Sequence, residues 1–193
     1  MAIKEFEHKG YLVSIDYDED PMNPRECDNF GTMVCFHKKY NLGDTHNIES
    51  PDFSSWSEVR DYIESELGGI VILPLYLYDH SGISMSVGKS RGTHASWDSG
   101  QVGFIYCTDG DMVSWEIPTT YQAELRLHEE VEAYDRYLTG DLYSYTIEQQ
   151  STCDSCNHTS GVLWEHSGNW ASTNEARAEA IKVIDHHVSK VSA

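Results

Sequence analysis

Basic residues are scarce in this chain. Thirteen Lys and Arg stand against 32 Asp and Glu in 193 residues, for a formal charge of −19. A field of that sign disfavours contact with the phosphates of nucleic acid or anionic lipid and favours basic partners, including proteins whose own ligand is nucleic acid. Long apolar runs are missing as well. The longest, Ile70 to Tyr78, has nine residues with Pro74 among them, against the roughly 18–20 that a membrane span needs. The start of the chain, Met1 to Glu7, carries charge at once and no signal-like apolar stretch. No membrane contact is expected, and a cytoplasmic location is.

An even cysteine framework is also absent. Five cysteines suit a reducing compartment better than paired disulfides. Only Cys153 and Cys156 share a CxxC spacing. Zinc there would need two more ligands from His158, His166, Cys27 or Cys107, and nothing flanking the pair resembles a thioredoxin turn, so an incidental loop pair is expected. GKSRG (88–92) fails the Walker pattern because Ile83 stands where glycine is required. No cofactor and no metal are expected.

What is present is ample apolar content, 39% hydrophobic, enough for a core and too much for disorder. Tyr11 to Tyr17 alternates as a half-buried strand, and Thr32 to His37 reads as a second. Ser55-Trp-Ser-Glu58 is a capping box ahead of Val59, Tyr62, Ile63 and Leu67 at helical spacing, with Gly68-Gly69 as the stop. Ile70 to Tyr78 is apolar on both faces, as a central strand is, although Pro74 argues for a local irregularity. Ser84 to Ser96 reads as a mobile loop, Val102 to Cys107 as a strand, and Asp109-Gly-Asp111 as a turn. A long helix opens at Pro118-Thr-Thr120 and ends at Gly140. Its expected buried stripe is Leu125, His128, Val131, Tyr134 and Leu138, with Glu124, Glu129, Glu130, Glu132 and Asp135 outside. Leu142 to Gln149 and Val162 to His166 complete the strands. A last helix, about 172–188, is capped by Ser172 and turns Ala176, Ala180, Val183, Ile184 and His187 inward.

This order, without strict helix–strand alternation, predicts one α+β domain over residues 1–193. Its sheet would be mixed or mainly antiparallel, of about six strands, with about three helices on one face. The terminal helix would dock on that domain or sit at an oligomer interface, so the oligomeric state stays open.

Two constellations carry possible chemistry. His37, Asp44, His46, Asp79, His80, Ser81 and Asp98 fall at strand ends or nearby loops. Two His with two Asp could bind a divalent metal, and Ser81 could act as a nucleophile beside a His–Asp pair. No HExxH, GxSxG or HxxE spacing supports either, and Asp79-His-Ser-Gly82 and Trp97-Asp-Ser-Gly100 are also ordinary turn sequences. A small metal- or nucleotide-dependent enzyme using the Asp79/His80 and Asp98 turns is thus the alternative. The second constellation is acidic. Asp16, Asp18, Glu19 and Asp20 cluster near the N-terminus, Glu58 and Asp61 lie on the first helix, and Glu124, Glu129, Glu132 and Asp135 lie on the second. Carboxylates one helical turn apart are separated by about 6 Å along the axis, a scale comparable with nucleic-acid backbone charge. Twelve tyrosines and five tryptophans add residue types that suit both cores and protein interfaces.

The motifs CDNFGTMVCFHKKYNLGD (27–44) and LPLYLYDHSG (73–82) with WDSGQVGFIY (97–106) resemble a family of small accessory proteins of bacteriophages, prophages and mobile plasmids. The likeness is strong from about residue 25 to 106 and weaker through YDRYLTGD (134–141). The resemblance implies a phage or plasmid setting, hence the host cytoplasm, and no particular chemistry. Such genes often encode inhibitors of restriction or CRISPR systems, whose effectors present basic nucleic-acid channels. The expected partner is therefore a basic nucleic-acid-binding host protein, with no direct contact to nucleic acid.

Overall fold

The computed structural model describes residues 2–48, 53–80, 82–88, 99–152 and 159–191. Over these described residues it is α+β, with four α-helices and two antiparallel four-stranded sheets. Contacts divide the chain into two compact units, Asn23–Thr139 on one hand and Met1–Met22 with Gly140–Ala193 on the other. Among the described residues, no helix is long and apolar enough to cross a membrane.

The unit of Asn23–Thr139 is built on strands β3 (Thr32–Cys35), β4 (Gly69–Asp79), β5 (Ile83–Val87) and β6 (Ser99–Thr108), in spatial order β3-β6-β4-β5. Strand alternation gives the sheet two apolar faces. Met33, Cys35, Leu75, Leu77, Met85, Ile105 and Cys107 meet helix α3 (Thr120–Thr139) through Ala123, Leu127, Val131 and Tyr134. Val34, Ile72, Phe104 and Tyr106 meet helix α1 (Trp56–Ser65) through Val59 and Ile63. The two helices thus cover opposite faces, not the one face expected. This explains why β4 reads as apolar throughout: it is buried from both sides. The irregularity expected at Pro74 falls one residue on, where the β4–β6 register shifts between Leu75 and Tyr76.

The other unit has β1 (Lys4–His8), β2 (Tyr11–Tyr17), β7 (Tyr143–Thr152) and β8 (Thr159–Trp170) in order β1-β2-β7-β8. Helix α4 (Thr173–Val191) lays Ala176, Ala180 and Ile184 on Tyr11, Val13, Ile15, Tyr145 and Ile147. The inward set expected for this helix is therefore the observed one, with Val183 half-buried and His187 against the rings of Tyr11 and Trp164.

Among the described residues there are eight strands, not about six, and the two additional ones are β1 and β5. β1, KEFEH, is an edge strand with exposed charged residues, and β5, ISMSV, overlaps the start of the stretch expected as a loop over Ser84–Ser96. Asp109–Ser114, expected as a turn, is the short helix α2. It is closed by a full capping box in which the Thr108 hydroxyl accepts from the Asp111 N–H and the Asp111 carboxylate accepts from the Thr108 N–H. The Ser55 hydroxyl accepts from the Glu58 N–H at 3.3 Å, but the Glu58 carboxylate accepts from Ser54, one residue before the cap.

Candidate functional site

The largest departure from expectation is inside the Asn23–Thr139 unit, where Glu130 is buried and not on the solvent face of α3. Its partner is Arg25, whose side chain is only 2% exposed. The Arg25 guanidinium donates Nε and Nη2 to the two Asp44 carboxylate oxygens at 2.7 and 2.6 Å, Nη1 to Glu130 at 3.1 Å, and Nη2 again to the Gly31 carbonyl at 2.7 Å. Glu130 also accepts the N–H groups of Phe30 and Gly31, and Asp44 that of Met33. Burial opposes the guanidinium charge, but Asp44 first and Glu130 second outweigh it and hold the Arg25 pKa above its ordinary value. Such a cluster tolerates burial because every charge is both paired and hydrogen-bonded. It leaves Asp44 unavailable as a metal ligand.

The remaining residues of the catalytic alternative do not converge. The His37 Nδ1 accepts from the Lys39 and Tyr40 N–H groups, and its ring stacks on Tyr40 at 5.0 Å. His46 Nε2 lies 3.0 Å from the Cys35 carbonyl oxygen. Asp79 accepts from the Tyr40 hydroxyl at 3.2 Å and pairs with Lys39 at 3.5 Å. His80 is exposed. His37 and Asp79 do share a surface cavity of about 320 Å³ with Phe36, Lys38, Leu77 and Gly100–Val102. Among the described residues, no group of three His, Cys, Asp or Glu could hold a metal ion. Ser81 and Asp98 lie outside the described residues, as do Cys153, Cys156, His158 and the Lys89–Arg91 pair. His166 is an exposed β8 residue near Thr146, Cys27 is exposed, and Cys107 is buried, its thiol raised by that burial to about 11.

The acidic candidates divide by what their carboxylates do. Asp18 accepts the Asn169 N–H at 2.7 Å and the Asp20 N–H at 3.2 Å, and Asp16 accepts the Tyr17 N–H. Glu58 is held by Ser54, and Asp135 accepts the Met85 N–H at 2.7 Å, tying α3 to β5. Glu19, Asp20, Asp61, Glu124, Glu129 and Glu132 have exposed side chains, with Glu129 beside Arg126 at 3.3 Å. Asp61 and the α3 acids stand on helices on opposite faces of one sheet.

The outer face of α3 is not purely acidic. The stripe expected from Leu125 to Leu138 is rotated: Ala123, Leu127 and Glu130 are buried instead, and Leu125 is 46% exposed. Tyr121, one turn before it, is 68% exposed. Residues three, four and seven apart share a helix face, so Tyr121 and Leu125 lie among Glu124, His128, Glu129 and Glu132. Two stripes overlap at Val131, Tyr134 and Leu138, and the glutamate in the buried one makes the other look the more apolar in the sequence. Arg25 gave no comparable signal, since nothing in the sequence says which carboxylates could receive a buried arginine.

Neither family models, curated proteins nor solved structures yield a match to this chain. The likeness to accessory proteins therefore rests on the motifs, and much of the first has a folding role. Phe30 and Met33 are core residues, Asp44 holds Arg25, and Gly31 and Gly43 fill places where a Cβ would overlap Leu127 and the Met33 carbonyl; Gly103 of the WDSGQVGFIY motif does the same against the Val34 carbonyl.

Proposed function

We propose that this chain is an acidic binding protein of the phage- or plasmid-borne type. It would block a nucleic-acid-handling protein of a bacterial defence system, a CRISPR effector or a restriction enzyme, in the host cytoplasm. The observation that best supports this is the α3 outer face, where exposed Tyr121 and Leu125 are bordered by Glu124, Glu129 and Glu132. Interfaces draw most of their energy from a few aromatic or aliphatic anchors, while charges around them speed encounter and select the partner. Carboxylates would occupy the positions that phosphates take in a basic channel, and the Tyr–Leu pair would add apolar contact that a nucleic-acid backbone lacks. α1 is on the other face of the sheet, so one groove would take α3 or α1 and not both. α3 is favoured because it carries the anchors.

The test is inhibition of DNA cleavage by purified restriction and CRISPR nucleases. The expected result is that the triple variant Glu124→Lys/Glu129→Lys/Glu132→Lys abolishes inhibition, that Tyr121→Ala/Leu125→Ala weakens it, and that the wild type loses potency as salt is raised. Variants that inhibit as well as the wild type, or potency indifferent to salt, would refute the proposal.

A further inference from the structure

We infer that the stacked Tyr17–Tyr143 pair, at one end of the β1-β2-β7-β8 sheet, is a receptor for an arginine side chain of the basic partner. The assignment rests on that partner being basic, as proposed above, and supplies a chemical reason for choosing arginine over lysine.

Tyr17 ends β2 and stands directly opposite Tyr143, the first residue of β7. Their rings stack with centroids 5.2 Å apart and planes inclined by 24°. Tyr17 is nonetheless 53% exposed and lies outside the cluster closed by α4. With Tyr143 against one side of the ring, that exposure falls on the other side and the edge. Tyr143 is fixed in turn, since its hydroxyl donates to Asp141 at 2.9 Å. That hydrogen bond raises the Tyr143 phenol to about 12, so this ring stays neutral at any working pH.

The surroundings are anionic and held in place. Asp16, Asp18, Glu19, Asp20 and Asp141 flank the two tyrosines in sequence, and no lysine or arginine occurs between Lys9 and Arg25 or between Arg136 and Arg177. Asp18 is pinned by the Asn169 N–H, and the Met22 N–H donates to the Asn169 side chain at 2.9 Å. A Cβ at residue 168 would overlap the Asp18 carboxylate, so Gly168 is what admits this anchoring. The acids do not converge into a cage, since no three of them among the described residues could hold a metal ion. Acids that neighbour an exposed aromatic ring along the chain without converging on a point suit an extended organic cation better than a point charge.

Guanidinium meets both demands. It is planar, stacks on an aromatic face, and presents a fork of donors to carboxylates at its edge. An ammonium ion gains the attraction of the ring but neither the stacking nor the fork.

The experiment uses the full chain with isotope-labelled tyrosine rings at about 0.15 M salt, titrated with hexa-arginine and hexa-lysine peptides. Ring signals of Tyr17 and Tyr143, assigned from Tyr17→Phe and Tyr143→Phe, are expected to move with the arginine peptide, which binds more tightly than the lysine peptide. Tyr17→Leu, which keeps bulk without a π-face, and Tyr17→Ala should each lower arginine-peptide affinity about two- to fivefold. Tyr17→Phe should retain it. Equal affinity for the two peptides, or unchanged affinity in both Tyr17→Leu and Tyr17→Ala, overturns the arginine receptor and leaves the basic-partner proposal standing. Failure of both peptides to bind at all overturns the arginine receptor and the basic-partner proposal together.

Discussion

Replacing Glu130 by alanine should destabilise the Asn23–Thr139 unit far more than replacing its neighbour Glu129, although the sequence presents both as surface acids. The change removes three hydrogen bonds, those from Arg25 Nη1, the Phe30 N–H and the Gly31 N–H. Each buried donor left without a partner costs about 1–3 kcal/mol, and breaking a buried ion pair costs about 3–5 kcal/mol overall. Asp44 stays on Arg25 and still balances its charge, so the lower end applies and about 3 kcal/mol is expected for Glu130→Ala. Arg25→Met is worse, at about 5 kcal/mol, because it strips the balancing charge from buried Glu130 and half-buried Asp44 at once. At roughly 2.1 cal/mol/K per residue, residues 23–139 unfold with about 0.25 kcal/mol/K of entropy, so 3 kcal/mol lowers Tm by about 12 °C. Glu129→Ala, on an exposed side chain, should fall within about 0.5 kcal/mol of the wild type. Scanning calorimetry on the three variants decides the matter. Melting of Glu130→Ala within about 3 °C of the wild type, or a matching loss in Glu129→Ala, would refute the idea that the buried cluster fastens the 25–44 segment to α3.

Two further outcomes are expected. Gly103→Ala drives a Cβ into the Val34 carbonyl oxygen where β3 pairs with β6. It should cost about 1–3 kcal/mol or more, seen as a lower urea midpoint, whereas Gly100→Ala meets open space and should not. Burial raises the thiols of Cys35 to about 12 and Cys107 to about 11. Thiolate is the reactive form, so at pH 8 iodoacetamide should label exposed Cys27 well before either of them, as read by peptide mass spectrometry. Equal labelling of the three would show that the sheet opens readily.

Much of the local structure was legible because burial imposes a period on the sequence. α4 could be read to the level of its inward residues, since alanines at i and i+4 left no competing stripe. β4 announced burial on both faces, but periodicity is silent on which strands pair. β2 joins β7 across more than a hundred residues, and nothing in either strand names the other. Hence one sheet was expected where there are two. Charge misled in a similar way. Glutamate is taken for solvent because few are buried, and only the three-dimensional placement of Arg25 and two backbone N–H groups makes an exception of Glu130. The acidic candidates show the same limit: sequence counts carboxylates, whereas the fold decides that Asp18, Glu58 and Asp135 are occupied by N–H groups while Glu124 and Glu132 face outward.

The split composition of the second unit has a consequence for how the molecule is made. Met1–Met22 leaves the ribosome well before β7, yet β2 cannot close its ladder until β7, encoded after Gly140, has been synthesised. Residues 23–139 contain both halves of every contact that builds their own sheet and can settle during translation, as contiguous segments do. During that interval Val13 and Ile15 have no α4 to cover them, and the net negative charge of the segment, six acids from Glu5 to Asp20 against two lysines, opposes its association with other copies by like-charge repulsion.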